Sequence, residues 1–175
     1  VELLTSNAAH AEEIAAGGLG GRIAVETFRS HADLRGLLER RMVDGAGDRY
    51  AAVFMTAAVA DYAPRRVFSV VSREATGEAP GEERWVVRDV QADKVKSTHA
   101  AIAVLGERTE KLVDLFRGRW GYRGVLVKFK LEVGIDETAL QSVAERSRVA
   151  SGADYIVANT LEMVEGARAG AWLLG

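Results

Sequence analysis

The sequence contains no cysteine, which excludes a disulfide framework, a thiolate zinc site and a cysteine nucleophile. Its three histidines, His10, His31 and His99, lie far apart and do not show the spacing of metal ligands. No apolar run is long enough to span a bilayer, and no secretory signal pattern is present. Because the net charge is only −2, charge gives no reason to expect binding to nucleic acid or to a membrane surface. We therefore expect a soluble, cytoplasmic protein without a metal site built from its own side chains.

What the sequence does contain is an alternation of strand-type and helix-type segments over its 175 residues. Ser30 and Asp33 form an approximate capping box, and the apolar residues after them recur at helical spacing. The patterns predict strands over residues 1–5, 22–28, 50–55, 125–133, 154–158 and 171–174, and helices over 10–16, 30–42 and 136–150 and near 109–116. This order predicts one α/β domain, residues 1–175, with a Rossmann-like, doubly wound, mostly parallel sheet.

The glycine-rich segment at residues 17–21 invites comparison with a dinucleotide-binding fingerprint. That fingerprint follows a strand and opens a helix, whereas these glycines follow a predicted helix and precede a predicted strand. We therefore interpret the segment as a helix C-cap and a turn.

Residues 63–105 interrupt the alternation and predict a projecting β-hairpin arm. The β-rich runs Val67–Arg73 and Arg84–Val90 are joined by a polar segment with glycine and proline, and residues 100–105 continue the pattern as a third strand. Loops of this length are usually lids, subunit contacts or disordered segments. The arm carries more apolar side chains than a two-stranded ribbon can bury alone. We expect a homodimer formed through the arm, the alternative being a ribbon folded back on its own domain.

Three predicted strands end in side chains that suit a ligand site. The first ends in the small residues 57–60 and then Asp61, the second carries Phe129, and the third ends at Asn159. In open α/β sheets ligands bind at the carboxyl ends of the strands. Small side chains would let a ligand approach the backbone, and Asp61 would supply an acceptor. The alternative for the first strand is a buried central strand that runs into an ordinary loop, with Asp61 as a turn residue.

A pair of lysines, Lys94 and Lys96, follows the arm on an extended segment. Alternating positions on such a segment project from one face, so the two charges suit a phosphate or a carboxylate. Lysines that guard the edge of a sheet are the alternative.

Four motifs occur in a fixed order: AAVADY at 57–62, K-x-K at 94–96, FKLE at 129–132 and ADYIVAN at 153–159. In this order, with the arm between the first two, they resemble the phosphopantothenoylcysteine synthetase (phosphopantothenate–cysteine ligase) family. In many bacteria this enzyme is the second half of a bifunctional DNA/pantothenate metabolism flavoprotein. The resemblance implies that CTP or ATP, with Mg²⁺, activates the carboxylate of 4'-phosphopantothenate as an acyl-nucleotide. The amine of cysteine then forms the amide, a step of coenzyme A biosynthesis.

The resemblance also implies roles for individual residues. Ala57, Ala58 and Val59 would line the nucleotide crevice, and Asp61 would hold the nucleotide. Lys94 would meet the phosphates and is the candidate catalytic residue. The remaining nucleotide contacts that the family implies are Glu110, Lys111, Leu112 and Val113 with Phe129 beside the base, and Lys96 and Asn159 would support the site.

The sequence departs from the family pattern in several places. The family opens with a strand, a Gly-rich loop and an S-S-G segment, and this sequence starts at what corresponds to the second strand. The family motif that corresponds to K-x-K at 94–96 is K-x-K-K, and Ser97 stands in place of its last lysine. Ser147 and Ser151 correspond roughly to lysines of the bacterial members. The choice between CTP and ATP, and the presence of a decarboxylase partner domain, therefore stay open.

Two other classes of function stay open as well. A non-catalytic nucleotide-binding or assembly module would retain the arm as its functional part. A nicotinamide-dependent oxidoreductase on a similar sheet predicts a fingerprint or a Tyr-x-x-x-Lys pair, and the sequence has neither.

Overall fold

A computed structural model describes residues 1–19, 21–43, 46–77, 79–90, 97–165 and 170–175. Its strands are β1 Glu2–Thr5, β2 Ala24–Thr27, β3 Ala52–Met55, β4 Tyr62–Ala75, β5 Glu83–Asp89, β6 Ile102–Arg108, β7 Val125–Glu132, β8 Tyr155–Thr160 and β9 Trp172–Leu174. Its helices are α1 Ala9–Ala16, α2 His31–Met42, α3 Leu112–Leu115, α4 Glu137–Ser151 and α5 Leu161–Glu165, with a 3₁₀ turn at Ala46–Arg49. The chain forms two compact units, one made of Val1–Val59 with Lys111–Gly175 and the other of Ala60–Glu110.

The first unit contains a mostly parallel sheet, which confirms the predicted α/β class and Rossmann-like architecture. Strands β3, β7 and β8 run parallel in that order, and β9 adds an antiparallel edge. Strands β1 and β2 form a separate parallel pair. Parallel neighbours need a crossover connection, which α1 supplies between β1 and β2 and α4 between β7 and β8.

Helices α2, α3 and α4 pack against one face of the four-stranded sheet, which we call the helix face. Leu126 and Ile156 point to this face and are fully buried, at 0% exposure. Leu126 packs with residues of α2 and α3, and Ile156 packs with Leu140 and Ala144 of α4. The opposite, open face carries exposed aromatic side chains, including Phe54 at 64% exposure. Burial of apolar surface therefore stabilises the sheet mainly through its helix face.

Helix α2 begins at the capping box that the sequence predicts. The Ser30 hydroxyl accepts the Asp33 N–H at 3.1 Å, and the Asp33 carboxylate accepts the Ser30 N–H at 3.0 Å. In its last turn Arg41 donates to Glu2 and Glu26, each at 2.6 Å, and this contact lowers the pKa of Glu2. These ion pairs fasten the helix to β1 and β2.

The structure confirms the interpretation of the glycine-rich segment as a helix C-cap. Gly17 caps α1, and Gly18 has a positive φ of 70°, a conformation that glycine adopts without strain. Gly20 lies outside the described residues. No helix in the described part of the chain is long and apolar enough to cross a membrane.

The second unit is a three-stranded antiparallel sheet with β4 in the centre, β5 on one side and β6 on the other. The predicted hairpin and its third strand are both present, and all three strands are antiparallel to their neighbours. The first and last residues of the unit are tied together, because Thr109 donates its N–H to Asp61 O at 2.9 Å and its hydroxyl to Ala60 O at 2.6 Å. The unit is thus closed at its base.

Candidate functional site

The segment that follows β3 alternates between the core and the surface. Ala57 and Val59 are partly buried and pack against the core made by α2 and α3, whereas Ala58 is exposed. The three residues therefore follow an extended path, with Ala58 on the accessible side. Of the three, Ala58 is the residue that a ligand can reach most directly.

Phe129 and Asn159 lie on the open face of two neighbouring parallel strands. Phe129 is opposite Val157, and Leu131 is opposite Asn159, so Phe129 and Asn159 share one face in diagonal positions. Phe129 remains 40% exposed. The pair thus offers an aromatic surface with an amide next to it, near the carboxyl ends of the strands. An aromatic and an amide together can bind a flat heterocyclic ring by stacking and hydrogen bonding.

Lys128 points to the helix face, where its ammonium group is partly buried. Its Nζ donates to Ser147 O at 3.0 Å, to Ser147 Oγ at 3.0 Å and to Ser151 Oγ at 3.1 Å. Burial is the main cause that lowers the pKa of Lys128; the charges of Lys111 and Lys130 add to it, and Asp114 opposes it. Sequence reasoning missed this residue. The sequence feature that could have revealed it is a single lysine within the apolar run 125–129. Strand periodicity assigns its position to the same face as Leu126.

The start of α3 contributes both core and surface residues. Leu112 is buried at 3% exposure and Val113 packs against the same core. Lys111, which precedes the helix, is exposed. The side chains of Leu112 and Val113 are therefore used for packing, and Lys111 is the one open to a ligand.

The other predicted site residues lie in or near the second unit. Asp61 and Glu110 are its exposed second and last residues. A hydrogen bond to Tyr62 is the main cause that raises the pKa of Arg108, and the charge of Asp61 contributes. Lys94 and Lys96 lie outside the described residues. The assignment of all these residues to a nucleotide site stays a prediction.

Similarity to known proteins was found through solved structures. No protein-family model and no curated protein sequence matches this chain. The DNA/pantothenate metabolism flavoprotein from Streptococcus pneumoniae superposes with a TM-score of 0.61 at 19% identity, over 87% of this chain and 66% of that chain. The C-terminal domain of the coenzyme A biosynthesis bifunctional protein CoaBC gives a TM-score of 0.47 at 16% identity, over 90% of this chain and 76% of that one.

This chain thus spans slightly less than two thirds of the flavoprotein chain from S. pneumoniae. At this level of identity the superposition establishes a common fold. The resemblance that the sequence motifs indicated is therefore confirmed at the level of fold: the chain shares the Rossmann-like α/β fold of the DNA/pantothenate metabolism flavoprotein.

Proposed function

We propose that the protein acts in pantothenate and coenzyme A metabolism, as a ligase that joins 4'-phosphopantothenate to cysteine. The observation that carries the proposal is the four motifs in family order on a fold shared with a pantothenate metabolism flavoprotein. The open-face pair Phe129 and Asn159 near the strand ends supports it, because a nucleotide base needs such a surface.

The reaction requires two steps because a carboxylate is a poor acyl donor. In the first step a carboxylate oxygen of 4'-phosphopantothenate attacks the α-phosphate of the nucleoside triphosphate, and pyrophosphate leaves. In the second step the cysteine amine attacks the acyl carbon, the nucleoside monophosphate leaves, and the amine loses its proton to solvent. The protein must hold two anions together and stabilise charge that develops on the phosphate, which is the role we assign to Lys94.

The possible metal ligands among the described residues indicate how Mg²⁺ would bind. In this part of the chain no three His, Asp or Glu side chains are grouped as metal ligands. Magnesium is commonly bound by substrate phosphates with only one or two carboxylates. An ion at this site would therefore be carried mainly by the phosphates of the nucleotide, whose charge it would neutralise.

We also propose that the second unit forms a homodimer interface. Val86, Ile102 and Val104 lie on one face of its sheet with 50%, 49% and 53% of their surfaces exposed. Exposed apolar side chains that share one face of a sheet often mark a protein–protein interface. A second copy of the same sheet offers a matching apolar face.

The test of the ligase compares Lys94→Ala with Lys96→Ala in the full-length protein. Pyrophosphate release is measured with 4'-phosphopantothenate and CTP or ATP at saturation, and product is measured after cysteine is added. Loss of a charge-stabilising donor should lower the rate of Lys94→Ala by roughly 10²–10³. Lys96→Ala should be milder, and both variants should melt as the unchanged protein does.

Three outcomes would contradict the proposal. Unchanged pyrophosphate release by Lys94→Ala would remove this residue from the mechanism. Stabilisation of the protein by a nucleotide without any pyrophosphate release would favour the non-catalytic nucleotide-binding module, and selective stabilisation by NADP would favour the oxidoreductase.

A further inference from the structure

The two sheets of the first unit share one core but are not joined to each other. Strands β1 and β2 form one sheet, β3, β7, β8 and β9 form the other, and no ladder links β1 to β3 among the described strands. Both sheets belong to the same compact unit. Leu4 of β1 and Val53 and Met55 of β3 pack against the same core, to which α2 contributes. A gap in the backbone pairing therefore lies within a single packed unit.

The amino ends of β1 and β3 lie next to each other. Glu2, the first residue of β1, accepts a hydrogen bond from Arg49 at 3.4 Å. A hydrogen bond from Arg41 is the main cause that lowers the pKa of Glu2, burial opposes it, and a hydrogen bond from Tyr50 contributes. Arg49 and Tyr50 come just before β3 in the sequence. Two strands that flank a third are roughly 10 Å apart, twice the spacing of neighbouring strands, and long side chains can span that distance.

The backbone of β1 directs two residues toward this gap. In a parallel sheet, alternate residues of a strand bond to one neighbour, and the residues between them are directed to the other side. Val1 and Thr5 accept N–H groups from the side of β2, at 2.9 and 3.0 Å. Glu2 and Leu4 therefore direct their N–H and C=O groups away from β2 and toward β3.

The edge of β3 is open in the same way. The backbone oxygen of Ala51 accepts the N–H of Val125 at 2.9 Å, so residues 51, 53 and 55 pair with β7. Ala52 and Phe54 direct their N–H and C=O groups toward β1. Residues 51–59 contain no charged side chain and no proline, whereas exposed edge strands usually carry such protection. This edge therefore has the character of one that another strand covers.

We propose that the gap between β1 and β3 binds one further β-strand, parallel to both. The occupant is an extended peptide segment from outside residues 1–175. Main-chain hydrogen bonds on both of its sides would hold it, as in other cases where a peptide adds a strand to a sheet. Its side chains on the helix face must be apolar, because they would meet Leu4, Val53 and Met55. Docking would join the two sheets into one, in the order β2-β1-added strand-β3-β7-β8-β9.

The added strand would also extend the edge at which α/β sheets bind ligands. Because it runs parallel to its neighbours, its carboxyl end would lie between Thr5, which ends β1, and Ala57, which follows β3. Docking thus bears on the completeness of the ligand edge, whichever reaction takes place there.

The probe is the hexapeptide sequence of residues 155–160, which in this chain forms β8 and pairs in parallel with β7. It is joined ahead of Val1 by a flexible linker of about fifteen residues, because parallel neighbours need a crossover of a dozen or more. The tether gives the probe a high effective concentration. Amide hydrogen exchange is then followed by NMR, residue by residue. The probe should slow the exchange of Leu4 and Phe54 by about tenfold.

Two controls belong to this measurement. The amides of Thr5 and Val53 already point to β2 and β7, so they should exchange slowly with and without the probe. A probe with proline in place of its third residue cannot donate there, and it should leave the exchange of Leu4 and Phe54 as in the unchanged chain.

Ala52→Pro and Val53→Pro form a matched pair of variants. Proline at Ala52 removes an N–H that points into the gap, a position at which an edge strand tolerates proline. Without the probe this variant should keep the melting temperature of the unchanged chain. With the probe it should lose most of the added protection of Leu4, since one hydrogen bond to the probe is gone. Val53→Pro breaks the ladder to β7 instead, and should lower the melting temperature with or without the probe.

The outcomes decide the matter for each part of the proposal. Slower exchange of Leu4 and Phe54 with the probe, lost in its proline form, supports the docking. Equal exchange with and without the probe would overturn it. Protection of Leu4 and Phe54 in the unchanged chain would overturn it too, because this chain or a second copy of it would then fill the gap. None of these measurements involves pyrophosphate release, so the ligase proposal stands or fails separately.

Discussion

Gly124 occupies the most restricted position in the first unit, and its replacement by alanine gives a sharp test of the fold. A Cβ atom at this residue would meet the hydroxyl of Tyr122 and lie 2.6 Å from the backbone oxygen of Tyr50. Real Cβ atoms essentially never approach other heavy atoms this closely. The backbone oxygen of Tyr50 cannot move independently, so the ring of Tyr122 must leave its place.

The expected loss of stability follows from the contacts that Tyr122 makes. Its side chain is buried at 3% exposure, its ring packs edge-on against Phe116 at 5.9 Å, and its hydroxyl donates to Tyr50 O at 3.0 Å. Displacing a buried aromatic ring typically costs about 3–5 kcal/mol. That is a large part of the stability of an ordinary domain, which is roughly 5–15 kcal/mol. We expect Gly124→Ala to be marginally folded or unfolded at 37 °C.

The assay is urea denaturation of Gly124→Ala beside two other variants. Gly36→Ala is the control, because Gly36 lies inside α2 and its Cβ would come no nearer than 3.6 Å to the flexible end of Arg40. That variant should be more stable by up to about 1 kcal/mol, since glycine is unfavourable in a helix. Tyr122→Phe in the Gly124→Ala background should recover only part of the loss, as the contact with Tyr50 remains. A Gly124→Ala protein within about 1 kcal/mol of the unchanged chain would refute the reasoning.

Two further predictions concern the dimer and the partly buried Lys128. The double variant Val86→Glu, Val104→Glu should be a monomer in sedimentation equilibrium, and the melting temperature of this monomer should not be lowered. If the unchanged protein is itself a monomer, the proposed interface is wrong. Because burial lowers the pKa of Lys128 below its ordinary value near 10.5, the unfolded chain binds more protons between the two values. The free energy of unfolding should therefore rise with pH in that window. Urea titrations at several pH values should show this rise in the unchanged protein and not in Lys128→Met. If the free energy of unfolding rises equally in both proteins, another titratable group causes the rise.

Local sequence signals were sufficient for most of the secondary structure. The capping box at Ser30 and Asp33 begins α2 as expected, because both hydrogen bonds form within four residues of chain. Asp136 caps α4 in a similar way by accepting the N–H of Ala139 at 2.8 Å. The apolar runs of β3, β7 and β8 also appear where the pattern predicts them. In each case the information lies in a short segment.

Features that depend on tertiary packing were not predictable in the same way. Helix α3 extends over only four residues, and α5 has no buried residue and was not predicted from its sequence. The separation of the pair β1–β2 from the four-stranded sheet depends on which strands become neighbours. The inward orientation of Lys128 follows from the burial of Leu126 on the same face, and burial is decided by the elements that pack there.

The alternation in β7 assigns its aromatic and its basic side chains to opposite faces of the sheet. Residues 127–132 alternate apolar and charged side chains, so that Phe129 lies on the open face and Lys128 and Lys130 lie on the helix face. A shift of one residue in the register of β7 would exchange the two faces and turn Phe129 away from the open face. The fully buried Leu126 prevents that shift, because it would then turn away from the core.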